Sequence, residues 1–429
     1  MFISIEEAIK KGKGKVNIRG WVYRERKQKD MVFLVIRDST NIIQCIVKQD
    51  KVSKKEWEDA NKLLIESSLE IEGELREDKR APTNYEIQVS KINVIQFADV
   101  FPIKKDQSPE FLMDNRHLWI RSRKLSAVMK IRSTVMKAFR DYYYNNGFYE
   151  MAPPIFTPTA CEGGATLFEV KYFDKKAYLT QSWQLYAEAA IFALEKIFCI
   201  SPCFRAERSK TSRHLAEFWM AEMEAAWYDL DKLIQSGEEC VAYIVQRVVK
   251  ENEAELILLG QDINKLKKIK APFPRLKYSE VLKILKEKEK VNIPFGKDLR
   301  TIEEDLIMKH FDKPLIVTHY PKEIMAFYKQ SDPKNPKEAL CFDMLAPEGY
   351  GEIIGGSQRD TDINELKKWL KKGGEKIETY EWYFDTRKYG SVPHAGYGLG
   401  IERVVAWLCK LDNIKDAIPF PRTMLRYTP

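Results

Sequence analysis

The sequence predicts an α+β protein in two unequal parts: a small five-stranded β-barrel, then a larger domain of mixed, mostly antiparallel sheet flanked by helices. Three observations predict it. Five strand-like runs separated by Gly, Asn, Asp and Lys turns lie between Lys15 and Phe97. A long amphipathic helical run follows a proline-containing stretch. Beyond it, strands and helices mix without the alternation of βαβ units. The 429 residues suffice for about two to three domains with large cores.

The first part is read from VNIRGWVYRER, MVFLVIRDST, IIQCIVKQD, SLEIEGELRE and YEIQVSKINVI, which alternate or run apolar as strands do. KKEWEDANKLL, between the third and fourth, reads as a helix. Five strands with a helix after the third is the plan of an OB-fold barrel, which binds nucleic acid on one face. Residues 1–100 are assigned to it. Residues 101–118 contain prolines and show no period, so they read as a linker. The second domain spans 119–429. It opens with the helix LSAVMKIRSTVMKAFRDYYYNNGF, stopped at Asn145-Asn146-Gly147. Residues 229–340 are helix-rich and Lys-rich and read as an insertion between two blocks of strands.

Composition narrows the function. Hydrophobic content of 44% with 12% aromatics fits a folded chain. No apolar run is long enough to span a bilayer, and MFISIEEAIKKGKGK is not a signal peptide, so no membrane partner and a cytoplasmic location are expected. Seven scattered cysteines are expected to be reduced and mostly buried; Cys199 and Cys203, the one close pair, lack the further ligands of a metal site. Net charge is +8. Residues 1–50 hold 11 Lys/Arg against 6 Asp/Glu, and residues 51–100 hold 8 against 11. That basic first half fits either a phosphate-rich partner or a plain solvated surface.

One stretch concentrates the chemistry. Residues 204–224 read FRAERSKTSRHLAEFWMAEME. Arg205 and Glu207 sit beside Phe204, a run of cations follows, and an aromatic strand then carries Glu217, Glu222 and Glu224. Unpaired ions are costly in a core, and a surface has no need of the aromatics. The pattern suits the wall of a cleft for a polyanion and something flat. Taken alone, Arg205–Glu207 also reads as a structural ion pair, and Phe218 as core packing.

FRAE…RHLAEF resembles motif 2 of the class II aminoacyl-tRNA synthetases. GYGLGIER (396–403) resembles their motif 3, and GFYEMAPPI (147–155) their motif 1. One glycine-rich turn is weak; three motifs in order behind a barrel are specific. The resemblance covers the whole chain and runs to the aspartyl/asparaginyl branch through CEGGATLF (161–168), QSWQLYAEA (181–189) and GGSQRD (355–360). It implies an ATP-dependent ligase that attaches an amino acid to its tRNA through an adenylate, as a homodimer formed through motif 1 at Pro154. By this resemblance, Arg205, Glu207 and Arg403 are catalytic. ATP is held by Arg205, Glu207, Arg213, His214, Phe218, Glu352, Gly400 and Arg403, with Phe218 and Arg403 on either side of the adenine. Mg²⁺ accompanies ATP on Asp343 and Glu352, and no organic cofactor is implied. The substrate carboxylate is the nucleophile, so catalysis is positioning and charge neutralisation.

The amino acid is bound, by the same resemblance, by Glu162, Ser182, Gln184, Glu188, Glu222, Ser357 and Arg359, with Arg359 reading the side chain by a double hydrogen bond. The aspartate enzymes carry a lysine where this chain has Ala187, followed by Glu188. That pair implies asparagine: Glu188 would repel aspartate and accept from the amide. Glu188 also reads as a residue that orients Arg359. The expected partners are therefore L-asparagine, ATP and tRNA(Asn), with the anticodon read by Arg26, Phe33 and Gln44. Phe33 also reads as barrel core, because Val32 and Leu34 leave the phase of its strand open. Three other readings stand beside this one. They are an aspartyl ligase, including one that also charges the asparagine tRNA; a non-catalytic RNA-binding relative; and an amide-forming paralogue of the same fold.

Overall fold

A computed structural model of the chain describes residues 1–162, 166–208, 211 and 213–429. The chain divides into two compact units, Met1–Trp119 and Ile120–Pro429. In the first, helix α1 (Ile5–Lys11) leads into strands β1 (Gly14–Lys27), β2 (Met31–Arg37) and β3 (Ile42–Lys48). Helix α2 (Lys54–Lys62) follows, then β4 (Ser68–Glu77) and β5 (Tyr85–Gln96). The strands close a barrel in the order β1-β2-β3-β5-β4. The period of two decides the phase: Val32, Leu34 and Ile36 are buried, while Met31, Phe33 and Val35 face outward. Phe33 is therefore not core. Ser53 and Glu56 form the capping box that starts α2. Gly20 and Gly73 allow strands to cross closely, since a Cβ there would lie 2.2 Å from the Arg37 carbonyl oxygen and 2.3 Å from that of Gln88.

Residues 101–118 are not wholly irregular. They hold α3 (Pro109–Asp114) and the start of α4 (Arg116–Trp119). Ser108 caps α3 and Pro109 occupies its first turn. Helices this short show no readable period, which is why the stretch reads as linker.

In the second unit, α5 (Arg123–Asn145) ends at Asn146 and at Gly147, whose φ of 76° only glycine adopts freely. Next come β6 (Tyr149–Glu150), β7 (Phe156–Thr157), β8 (Glu169–Tyr172), β9 (Lys175–Leu179), α6 (Gln184–Leu194), β10 (Lys196–Phe204) and β11 (Glu217–Ala226). Residues 229–340 contain α7 (Leu230–Glu251), α8 (Glu253–Leu258), α9 (Ile263–Lys267), α10 (Tyr278–Lys288) and α11 (Thr301–Met308). They also contain β12 (Arg275–Lys277), β13 (Leu315–Thr318), β14 (Ser331–Asp332) and β15 (Asn335–Ala339). The chain closes with β16 (Cys341–Ala346), β17 (Gly351–Gln358), α12 (Ile363–Lys372), α13 (Glu381–Lys388), β18 (His394–Gly400) and α14 (Ile401–Leu408).

Eight strands form the main sheet in the order β12-β13-β16-β17-β18-β11-β10-β6. It is antiparallel except at its two edges, where β12 runs parallel to β13 and β6 to β10. The 229–340 stretch is thus more than helical, since β12 and β13 extend the sheet. Helices α5, α7 and α14 cover one face with Val135, Phe139, Ile244, Val248 and Val405, packed on Met223 and Tyr397. Burying each such side chain contributes about 1.5–3 kcal/mol. The opposite face is left to polar groups.

Candidate active site

Strand register assembles the site. Across the uncovered face, Glu222 of β11 stands opposite Gly398 of β18, which stands opposite Gly355 of β17, which stands opposite Asp343 of β16. The neighbouring row is Glu224, Gly396, Ser357 and Cys341. The glycines make a floor with no side chain of its own. A Cβ on Gly396 would lie 2.0 Å from Glu224 Oε2 and 2.5 Å from the Met223 carbonyl oxygen. One on Gly398 would lie 2.4 Å from Met220 Cε. Gly396→Ala is accordingly expected to displace Glu224 and to abolish amino-acid binding, and an unaltered affinity measured by calorimetry would contradict this floor.

At one end of the floor Arg359 is held by Glu224. Its Nε donates to Glu224 Oε1 at 2.9 Å and its Nη2 to Oε2 at 2.8 Å, while Nη1 donates to Ser357 Oγ at 2.9 Å. The guanidinium lies 5.2 Å from the Tyr328 ring centroid. The expected free double fork is therefore already spent on a buried carboxylate. Glu224 was not singled out as a site residue from the sequence, although it lies two residues after Glu222 on one strand and so on the same face.

Glu188 departs from its expected role. It is fully buried, and its carboxylate accepts from Gln184 Nε2 (2.9 Å), the Tyr383 hydroxyl (2.8 Å), His394 Nε2 (3.0 Å) and Arg387 Nη2. Burial alone would raise its pKa, but Arg387 and His394 hold it well below the usual carboxylate range. Three of these donors converge on Oε2, and through Oε1 Glu188 holds the Gln184 side chain. Ala187 packs with Trp183, Ile191 and Cys199.

Beside this pair, Ser182 Oγ donates to Glu222 Oε1 at 2.5 Å and the Trp183 N–H to Oε2 at 3.3 Å. Burial raises the Glu222 pKa to about 7 against those two donors. Glu162 accepts from the Tyr328 hydroxyl at 2.6 Å. Gly163, Gly164 and Ala165 of CEGGATLF lie outside the described residues.

At the other end of the floor opens a cleft lined by Arg205, Phe218, Met220, Gly398, Gly400 and Arg403, among others. Arg205 lies 5.4 Å from the Phe218 ring centroid and 3.9 Å from Glu207 Oε1. Its buried Nε has no acceptor among the described residues. Arg403 Nη1 donates to the Glu352 carbonyl oxygen at 2.7 Å and lies 3.4 Å from its Oε2. Gly400 precedes α14, whose first turn is anchored by Glu402: its Oε1 is 2.6 Å from Arg132 Nη1, and its Oε2 accepts from the Trp219 N–H at 2.9 Å. Arg213 Nη2 donates to Asp305 Oδ1 at 3.0 Å, and its Nη1 is buried without an acceptor among the described residues. His214 lies 3.5 Å from Glu207 Oε2. Burial lowers its pKa, with some recovery from Glu207. Of the loop between β10 and β11, Ser209, Lys210 and Ser212 lie outside the described residues.

Between the two ends, Asp343 and Glu352 converge on Gly355: a Cβ there would lie 2.8 Å from Glu352 Oε1 and 3.5 Å from Asp343 Oδ1. Burial, then the Glu352 charge, pushes Asp343 to about 8. On the barrel, Arg26 lies over the Phe33 ring at 4.6 Å, and Gln44 Nε2 donates to Glu86 at 3.0 Å. Pro154 is exposed, following the edge strand β6.

Residues 108–424 match the family described as tRNA synthetases class II (D, K and N), and residues 16–95 match the OB-fold nucleic acid binding domain. The chain is 49% identical over 417 residues to an asparagine--tRNA ligase of Thermoplasma acidophilum, covering 97% of this chain and 96% of that one. To an asparagine--tRNA ligase of Thermococcus kodakarensis it is 51% identical over 416 residues, with the same coverage of each. The fold superposes with a TM-score of 0.96, at 47% identity and 100% of both chains, on asparaginyl-tRNA synthetase from Pyrococcus horikoshii complexed with asparaginyl-adenylate.

Proposed function

The chain belongs to the class II tRNA synthetases of the D, K and N group, and on that premise we propose how its residues carry the reaction. It is an aminoacyl-tRNA ligase that uses ATP to activate asparagine as asparaginyl-adenylate and passes the asparaginyl group to tRNA. The observation that carries the choice of amino acid is the buried Glu224–Arg359 pair. A bare arginine would favour aspartate, because a full anion pairs better with guanidinium than an amide does. Glu224 cancels that charge and repels a second carboxylate. The amide oxygen accepts from Arg359 Nη1, and the amide NH2 donates to Glu224. The aspartyl alternative lacks support for the same reason.

Glu222, Ser182, Gln184 and Glu162 hold the α-ammonium group, with Glu188 keeping Gln184 oriented. Arg205, whose Nε awaits an acceptor, pairs with the α-phosphate. Phe218 and Arg403 take the two faces of the adenine, and Arg213 and His214 hold the outer phosphates. A substrate carboxylate oxygen attacks the α-phosphorus, the bond to the bridging oxygen breaks, and pyrophosphate leaves. Asp343 and Glu352 are hard oxygen donors that would hold Mg²⁺ beside the phosphates. When bound, Mg²⁺ supplies positive charge to the phosphate oxygens.

The pKa of Glu222 gives the amino-acid step a pH dependence. An ammonium group needs the ionised carboxylate. Above pH 7 Glu222 is ready; below it, binding must first expel a proton. Asparagine affinity is therefore expected to fall by up to about tenfold per pH unit between about pH 7 and about pH 5.5, and to be flat above. Calorimetry across that range checks this, and a flat profile would contradict it.

Residues 1–100 are the anticodon-binding domain, 101–118 the connection and 119–429 the catalytic domain. Phe33 stacks on a splayed base, Arg26 holds the adjacent backbone and Gln44, fixed by Glu86, reads a base edge. Phe33→Ala and Gln44→Ala are expected to weaken tRNA charging by about 1–3 kcal/mol each while sparing tRNA-free pyrophosphate exchange. Loss of exchange would mean a damaged fold. Tyr149 and Trp227 are exposed; with Pro154 and the edge strand β6 they fit a homodimer contact. No described helix is long and apolar enough to cross a membrane, and the cytoplasm, where tRNA is charged, is its place of work.

A further inference from the structure

One cation of the site has no role in this scheme. Lys329 forms an antiparallel bridge with Arg359, and its neighbour Gln330 donates through its N–H to the Gln358 carbonyl oxygen at 3.1 Å. Gln330 in turn accepts from the Leu340 N–H at 2.8 Å. The backbone of Lys329 is thereby set between the end of β17 and the start of β16. Tyr328, one residue before it, lies against Arg359 and donates to Glu162. The half-buried Lys329 side chain donates from Nζ to Met325 Sδ at 3.3 Å, its only hydrogen bond among the described residues. A thioether is a weak acceptor. No described carboxylate forms an ion pair with this ammonium, although Asp343, Glu162 and Glu352 surround it at longer range.

A desolvated ammonium held by a thioether has bonding capacity to spare. The substrate geometry says which anion would use it. The side-chain end of the amino acid is fixed at Arg359, Ser357 and Glu224. Its ammonium is fixed by Glu222 on β11. The third heavy substituent of the α-carbon, the carboxylate, must leave both. The remaining wall is that of β16, where Lys329 stands.

We propose that Lys329 binds the α-carboxylate of the amino acid and holds the nucleophile opposite the phosphate clamp Arg205. One carboxylate oxygen attacks the α-phosphorus while the other stays on Lys329. The ammonium keeps its protons throughout, the bond from the α-phosphorus to its bridging oxygen breaks, and pyrophosphate carries the charge away. Lys329 also offsets the repulsion between two anions brought together, which Arg205 alone, on the far wall, does not.

This rests on the ligase reading, so parent activity is measured first: failure of asparagine-dependent pyrophosphate exchange in the parent would remove that reading itself. The inference is tested by Lys329→Met with two ligands, L-asparagine and L-asparaginol, which has a hydroxymethyl group in place of the carboxylate. The expected result is a rise of about 10–100-fold in the asparagine KM, with the inhibition constant of asparaginol and the KM for ATP near their parent values. Lys329→Arg, which keeps the charge, should recover much of the loss. Equal weakening of asparagine and asparaginol would overturn the inference, as would no weakening of either, or a rise confined to the KM for ATP. If Lys329→Met lowers the thermal midpoint and loses its fold, Lys329→Gln is read by the same criteria.

Discussion

Arg205→Ala is expected to lower asparagine-dependent pyrophosphate exchange by about 10²–10³, the usual loss when one preorganised transition-state donor is removed. The expectation follows from the buried Nε that has no acceptor among the described residues. A side chain bearing such a group loses little by truncation unless a ligand supplies the acceptor. The negative charge that grows on the α-phosphate is that acceptor. Binding of tRNA, measured separately by filter retention, should stay near the parent value, because the barrel residues Arg26, Phe33 and Gln44 are untouched. Exchange at the parent rate would show that Arg205 is only a structural partner of Phe218 and Glu207.

Glu224→Gln has an effect of similar size and a more specific signature. It removes the counter-charge of an arginine that is only 4% exposed. Breaking a buried ion pair on one side costs about 3–5 kcal/mol, because the remaining charge has no solvent to turn to. Part of that cost should appear as a lower denaturation midpoint. The rest should appear in catalysis, as a loss of asparagine activation. An aspartate carboxylate, however, can replace the missing anion. Added aspartate should therefore stabilise the variant more than it stabilises the parent. Equal stabilisation of the two by aspartate would mean that Arg359 is not exposed to the substrate.

How far the sequence discloses this site depends on whether a residue's role is local. The barrel strands announce themselves by period two, and the long helix α5 by its apolar stripe and its Asn-Gly stop. The residues proposed for the phosphate end could be picked out together because Arg205 and Glu207 lie in the loop that joins β10 to β11 and Phe218 lies at the start of β11. The side-chain end was legible only in part. Arg359 was named, but its partner depends on β11, β18 and β17 being neighbours in register, which spacing along the chain does not disclose. Glu188 drew attention by its place beside Ala187. Its partners Tyr383, Arg387 and His394 come from α13 and β18, nearly two hundred residues on. A carboxylate that faces the interior of a helix packing reads, in one dimension, like a carboxylate that faces a ligand. Phe33 illustrates the converse: its phase was undecided from its neighbours, and closure of the barrel decided it.

On the proposed reading, a neutralised arginine selects an amide over a carboxylate. Pyrophosphate exchange with asparagine and with aspartate, on the parent and on Glu224→Gln, tests it most directly. The parent is expected to prefer asparagine strongly, and the variant to narrow the ratio by at least about tenfold, equivalent to about 1.4 kcal/mol, through both a loss with asparagine and a gain with aspartate. A parent that prefers aspartate, or a ratio that Glu224→Gln leaves unchanged, would contradict it.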